Sequence, residues 1–309
     1  MKSSPKRQLQ ATHIDASLLR RWPLPSVDSD DGKEDRGRVL IVGGSREVAG
    51  ALVLAGTAAL RAGAGKLQLA TVASIAPLMA LAVPEARVIG MPEEVSGEIA
   101  EPAAAVLEAA TDVDGLLIGP GMAPHPSTNN LVESLMNVSR ATLVLDAGAL
   151  HAVPANRSEN IILTPHHGEM ASLLGCSKCE VAARPAELAL HFAREHRVTV
   201  VLKGATTWVA TPSGELLLHE GGTAGLGTSG SGDTLAGLLI GLIARGATSA
   251  EACAWAVFIH ALAGQFLDRQ VGPIGYLSRE LPGQFPALLE RMSQKKAAAR
   301  KAPPRRRTT

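Results

Sequence analysis

The chain has 309 residues, 46% of them hydrophobic, enough for a large buried core. Its formal net charge is +1 and aromatic residues make up 3%, which speaks against a nucleic-acid surface or a base-stacking platform. Three cysteines are too few for a disulfide framework, and the basic residues 1–12 have no apolar segment behind them, so a reduced cytoplasmic protein is expected.

Residues 1–35 are polar and proline-dotted and read as a mostly irregular lead-in. Regular patterning runs from 36 to 292, which predicts one domain. Apolar runs at 38–42, 66–71, 87–90, 115–119, 141–146, 160–164 and 199–203 predict short strands. Helical stretches at 49–62, 102–110, 127–139 and 185–196 separate most of them. Such alternation predicts an α/β fold, a mostly parallel central sheet with helices on both faces. Runs at 206–210 and 215–219, split by Pro212-Ser213-Gly214, predict a hairpin in that sheet. Two further helices are expected at 251–268 and 286–292. No apolar run is as long as the roughly 18–20 residues of a membrane span, so no membrane partner is expected. Residues 293–309 hold Lys and Arg among Ala and Pro and predict a disordered, solvated basic tail.

The chain is organised around residues 221–245. The first half is Gly-Gly-Thr-Ala-Gly-Leu-Gly-Thr-Ser-Gly-Ser-Gly-Asp, almost without side chains. In the second half Leu235, Leu238, Leu239, Leu242 and Ile243 recur at helical offsets, which predicts one buried face. A glycine-rich turn opening a helix presents backbone N–H groups to a phosphate-sized anion. Asp233 in the first turn either complements the helix dipole or acts as a base beside a bound phosphate.

Other turns follow the strands: Gly43-Gly44-Ser45, Gly119-Pro120-Gly121, Asp146-Ala147-Gly148, Thr164 to Glu169, and Lys203-Gly204. Ligands of an open parallel sheet bind at the carboxyl ends of its strands, so these turns predict one shared cleft. Gly225, Gly227 and Gly230 match a dinucleotide fingerprint in spacing, but no apolar strand precedes them directly and no acid follows at a strand end. Cys176 and Cys179 form a C-x-x-C pair whose only nearby metal-binding company is His166 and His167; an accidental pair at a helix end is expected. His260, inside an apolar helix, reads as a satisfied core histidine. Phosphoryl chemistry needs an anion hole, a base and a way to hold magnesium, and the amides at 230–232, Asp233 and Glu169 are candidates in turn.

Taken together, these blocks resemble the NAD(P)H-hydrate dehydratases of the ribokinase-like superfamily. The likeness covers about residues 36–290 and rests on the order of Gly37 to Ser45, Ala59 to Gly65, Gly119-Pro120-Gly121-Met122, Leu145-Asp146-Ala147, Leu163 to Glu169, Lys203-Gly204-Ala205-Thr206-Thr207 and Gly230-Ser231-Gly232-Asp233. The resemblance implies a three-layer α/β/α sandwich and a carbon–oxygen lyase that repairs the S form of NADH or NADPH hydrate with ADP, or ATP, and Mg2+. It implies substrate contacts at Ala51, Gly121, His166 and Asp233, with Asp233 catalytic, and magnesium at Glu169. It places the nucleotide on Lys203, Gly204, Ala205, Thr206, Thr207, Gly230, Ser231 and Gly232. A separate NAD(P)H-hydrate epimerase as functional partner and a homotetramer are implied too. The chain departs from the family at Thr223-Ala224, where Asn-Pro is usual, and at Ser229, where glycine is usual. A small-molecule kinase of the hydroxyethylthiazole or vitamin type, or a non-catalytic nucleotide-binding module, is the alternative.

Overall fold

The structure, a computed structural model, describes residues 9–26, 32–153 and 160–294. The basic stretch from 295 onward therefore lies outside the described residues. The strands are β1 (Thr12–His13), β2 (Arg38–Val42), β3 (Lys66–Val72), β4 (Ala86–Met91) and β5 (Gly115–Ile118). They continue with β6 (Thr142–Leu145), β7 (Ile161–Leu163), β8 (Thr199–Leu202), β9 (Thr207–Ala210) and β10 (Leu216–His219). All ten join one sheet in the order β1-β10-β9-β8-β7-β6-β5-β2-β3-β4. Among the described strands β9 and β10 pair antiparallel as the expected hairpin, and β8 and β9 also pair antiparallel, so the sheet departs from parallel at two pairs where one was expected.

The helices are α1 (Ala16–Arg21), α2 (Gly50–Arg61), α3 (Ala76–Ala82), α4 (Ala104–Ala110), α5 (Pro126–Val138) and α6 (His167–Leu174). After these come α7 (Lys178–Ala183), α8 (Pro185–His196), α9 (Ser231–Ala244), α10 (Ser249–Gln270) and α11 (Leu281–Ser293). Alternate residues of a strand point to opposite faces of the sheet. Accordingly Val39 and Ile41 pack with α1, α2, α9, α10 and α11, whereas Leu40 and Val42 pack with α4, α5 and α8. The fold is a three-layer α/β/α sandwich.

Four differences from the sequence reading bear on the packing. The lead-in carries β1, which pairs with β10, and α1, which buries Leu18 and Leu19. Asp15 caps α1 by accepting from the Leu18 amide at 2.7 Å. A strand of two residues has no alternation to detect, and its partner lies far along the sequence. Second, α9 is buried on nearly all sides, from Thr234 to Ala244, because α2 and α10 flank it over the sheet. Third, α10 is 22 residues long and apolar enough by length and composition to cross a membrane. Twelve of its residues are buried in this core, so its apolarity is accounted for by packing. Fourth, α11 begins at Leu281 and runs through Pro286, because Leu281, Phe285, Leu288 and Leu289 bury one face and outweigh the proline.

Helices α2 and α9 approach closely through small residues. A Cβ on Gly237 would stand 2.2 Å from the Ala55 carbonyl oxygen and 2.7 Å from Ala55 Cα, both backbone atoms that cannot swing aside. Gly237→Ala is therefore expected to lower the unfolding free energy by about 1–3 kcal/mol, read as a shifted urea midpoint at unchanged slope. Gly50→Ala is the control, since its Cβ would meet nothing within 4 Å.

Candidate active site

The order of strands places a switch point between β2 and β5, since the chain leaves β2 toward β3 and β4 and returns on the other side as β5. Such a point opens a crevice at the carboxyl edge. The turns after the two strands meet there: the Gly44 amide donates to the Pro120 carbonyl at 2.7 Å. Gly121 has φ 71°, in the left-handed region, and a Cβ on it would lie 2.4 Å from the Val48 carbonyl and 2.9 Å from Ala51 Cβ. Gly121 and Ala51, expected to share a substrate, are thus neighbours. One turn further along α2, Leu54 touches Gly230, whose own Cβ would stand 2.4 Å from Leu54 Cδ1. The start of α2 therefore links the Gly121 turn to the start of α9.

Three further strand ends supply charge. Asp146, after β6, is 3% exposed. Its Oδ1 accepts from Lys203 Nζ at 2.9 Å and from Thr164 Oγ1 at 2.6 Å. Burial pushes the Lys203 ammonium down, but the carboxylates of Asp146, Glu169 and Asp233 outweigh it and leave its pKa raised. Lys203 stays a cation. A Cβ on Gly232 would stand 3.2 Å from Lys203 Nζ, so the start of α9 faces this pair.

His166 takes the place of a short polar residue at the N-cap of α6. Its Nδ1 accepts from the amides of Gly168 at 2.9 Å and Glu169 at 3.1 Å, while Glu169 Oε2 accepts from the His166 amide at 2.7 Å. Two donors on Nδ1 put the neutral ring's proton on Nε2, which leaves that atom a donor toward the cleft. The helix end expected before Cys176 is the end of α6, whereas its start at His166 and the short α7 behind Ser177 were not anticipated from the sequence.

Helix α9 starts from Gly230, at φ 86° and ψ −9°, a conformation that favours glycine. The first amides of an α-helix have no acceptor in the helix; Thr228 takes the one on Ser231 at 3.3 Å, and Gly232 lines the neighbouring cavity. Asp233 is in this first turn, and its carboxyl is pushed up to about 7. Loss of solvation is the main cause; the negative charge of Asp146 and Glu169 adds to it, and Lys203 opposes it.

That shift has a sign that stability can read. An unfolded Asp titrates near 3.8, so between that pH and about 7 the folded chain keeps a proton that the unfolded chain has lost. Stability then falls as pH rises through this window, and the loss is complete above it. Asp233→Asn is expected to stabilise the fold at pH 8 by up to about 4 kcal/mol and to change nothing at pH 3. Thermal unfolding at the two pH values measures it, and an equal effect at both would exclude the buried charge as the cause.

A cavity of about 550 Å³ opens beside these groups. Its wall includes His166, Lys203, Gly204, Ala205, Thr207, Ser231 and Gly232, all expected at the site. Thr206 lies in the same turn, leading into β9. Ala51, Gly121, Glu169, Gly230 and Asp233 lie outside this wall: Ala51 and Gly121 at the crevice, Glu169 in the first turn of α6, and Gly230 and Asp233 at the start of α9. The rest of the lining is largely apolar, with Leu226, Leu235, Val257 and Ala261. His260 also reaches it: Nε2 lies 3.0 Å from the Ser231 carbonyl and 3.2 Å from Thr234 Oγ1, and burial is the main cause of a pKa pushed down to about 4. It is the satisfied core histidine expected, and it braces the first turn of α9 from behind. Asp146 and Thr164 are the residues whose partnership the sequence reading missed; a polar residue closing an otherwise apolar strand was the signal.

Cys176 follows the glycine that ends α6, and Cys179 is the second residue of α7. Among the described residues no group of three or more His, Cys, Asp or Glu is arranged to hold a metal. Magnesium bound with nucleotide needs no such cage, since one or two carboxylates, water and phosphate oxygens complete its shell. Glu169 fits that use with the oxygen left over from its cap, Oε1, which lies 3.6 Å from His166 Nε2.

The sheet order, the glycine-opened helix and the strand-end charges define a ribokinase-like α/β/α protein. Residues 39–286 match the family described as NAD(P)H-hydrate dehydratase, and the chain belongs to that family. It is 52% identical over 280 residues to the ADP-dependent (S)-NAD(P)H-hydrate dehydratase of Xanthomonas campestris, covering 90% of this chain and 96% of that protein. It is 34% identical over 301 residues to a bifunctional NAD(P)H-hydrate repair enzyme of Moorella thermoacetica, covering 94% of this chain and 57% of that one. A crystal structure of the ADP/ATP-dependent NAD(P)H-hydrate dehydratase of Bacillus subtilis, co-crystallized with ATP and Mg2+, superposes with a TM-score of 0.79. It is 28% identical, and the match covers 92% of this chain and 99% of that one.

Proposed function

We propose that this chain dehydrates the S form of NADH or NADPH hydrate at the expense of ADP, giving NAD(P)H, AMP and phosphate. The observation that carries this reading is the placement of Asp233. Its carboxyl, held near 7, stands on the first turn of a glycine-opened helix, beside a nucleotide-sized cavity and the Lys203–Asp146 pair.

Asp233 accepts the proton of the ring hydroxyl as that oxygen attacks the terminal phosphorus of ADP. The amides of Gly230 and Gly232 hold the charge that develops on the transferring group, while the Ser231 amide, expected to join them, bonds the Thr228 carbonyl at 3.3 Å and shapes the turn. ADP supplies the phosphoryl group, and magnesium held through Glu169 neutralises its phosphates. Lys203, Gly204, Ala205, Thr206 and Thr207 form the nucleotide wall, and Ala51, Gly121 and the Nε2–H of His166 orient the hydrate. The phosphorylated oxygen leaves as phosphate, pushed out by the ring nitrogen's electron pair while the adjacent carbon loses a proton. The substrate S epimer would be supplied by a separate epimerase, and the working form would be a cytoplasmic homotetramer.

The test is purified chain with hydrated NADH, Mg2+ and either ADP or ATP, followed by the return of the dihydronicotinamide absorbance. About one ADP should be consumed per NADH regained. A stable phosphorylated product would overturn the dehydratase reading in favour of a kinase, and ADP binding with no turnover would mark a non-catalytic module.

A further inference from the structure

The 221–230 loop forms one wall of the cavity, through Thr223, Leu226, Gly227 and Thr228 among others. Side chains behind it hold it in place. Gln265 Nε2, from α10, donates to the Gly221 carbonyl at 3.2 Å. Tyr276 Oη lies 3.1 Å from Thr223 Oγ1, and Ser278 Oγ donates to the Ser229 carbonyl at 2.6 Å. Neither Tyr276 nor Ser278 lines the cavity, so both act on it through the loop.

Tyr276 is built in firmly. It is 2% exposed, and a Cβ on Gly225 would stand 2.3 Å from its Cε1, so the ring occupies the space that a larger residue at 225 would need. Its hydroxyl bonds to Thr223, where the family usually has asparagine. Ser278 works at the other end of the loop. A trans peptide holds its N–H opposite its C=O. Fixing the Ser229 oxygen therefore fixes the direction of the Gly230 N–H, one of the amides assigned to the transferring phosphoryl group.

We propose that Tyr276 and Ser278 are positioning residues that divide one task, Tyr276 setting the nucleotide wall at Thr223 and Ser278 aiming the turn that starts the anion hole. The inference rests on the nucleotide-dependent reading above and adds to it which outer residues govern binding and which govern turnover. A merely structural role would lower stability without separating KM from kcat.

The experiment compares wild type, Tyr276→Phe, Thr223→Val and Ser278→Ala in full-length chain, by steady-state kinetics, calorimetric titration with ADP, and thermal unfolding. Tyr276→Phe is expected to raise KM and Kd for ADP about 3- to 10-fold with kcat within about twofold. Thr223→Val should do the same, and the double variant should be no worse than either single change. Ser278→Ala is expected to lower kcat about 10-fold with the Kd for ADP within about twofold. Unchanged ADP affinity in Tyr276→Phe, additive losses in the double variant, or a Ser278→Ala defect confined to Kd would overturn the division. Wild type that binds ADP but turns over neither nucleotide would instead overturn the dehydratase reading, and the ADP titrations would still decide the place of Tyr276.

Discussion

Asp233→Asn is expected to lower kcat about 10²–10⁴-fold while the chain remains folded and still binds ADP. The replacement keeps the size and hydrogen-bonding reach of the side chain and removes its negative charge together with its ability to take a proton. A dipole partner at a helix start contributes about 0.3–1 kcal/mol, so an acid with that role alone would leave turnover nearly intact. The two roles also differ in their pH dependence. In wild type the fraction of Asp233 able to act as base rises through about pH 7, so the rate should climb across that range in the free enzyme. In Asp233→Asn the residual rate should lose this limb. An Asn variant with near wild-type turnover would remove Asp233 from the chemistry.

The second large effect is expected at Asp146. Asp146→Ala leaves the Lys203 ammonium, 18% exposed at its side chain, without the carboxylate it now bonds at 2.9 Å. Losing one partner of a buried ion pair costs up to about 3–5 kcal/mol, and Lys203, poorly solvated and left only with the more distant carboxylates of Glu169 and Asp233, is expected toward the lower end. Thr164 Oγ1 loses its short bond to the same oxygen. Chemical denaturation should show the fall in stability. Asp146 is also one of the negative charges that hold the Asp233 carboxyl up, so Asp146→Asn should move the acid limb of the rate profile to lower pH. If that limb stays in place, Asp146 does not act on Asp233.

What could be read from sequence followed from the range of the interactions involved. Strands such as β2 and β5 were legible because they are buried on both faces, which makes them continuous apolar runs ended by glycine. The gathering of Gly43, Gly121, Asp146, Glu169 and Lys203 at one edge followed from parallel topology alone. What was not legible is set by distance along the chain. Asp146 and Lys203 are 57 residues apart, and no local pattern announces that one accepts from the other. Tyr276 and Ser278 look like loop residues until the fold lays them behind Thr223 and Ser229. The start of α6 was obscured differently: a histidine replaces the usual capping side chain, and His166-His167 beside a C-x-x-C pair drew attention to metal chemistry.

The pairing of β1 with β10 bears on the order in which this chain folds. Ile14 donates its amide to the Leu218 carbonyl, and its own carbonyl meets His219 Nδ1, 205 residues later in the sequence. Contacts that span so much chain close late, because the loop entropy is spent before they form. At about 5–20 residues per second, a ribosome needs roughly 10–40 s between the two segments. During synthesis the first strand therefore waits for its partner, and the hairpin of β9 and β10 emerges with one edge open. The pairing of Thr12 and His13 is the step that closes it.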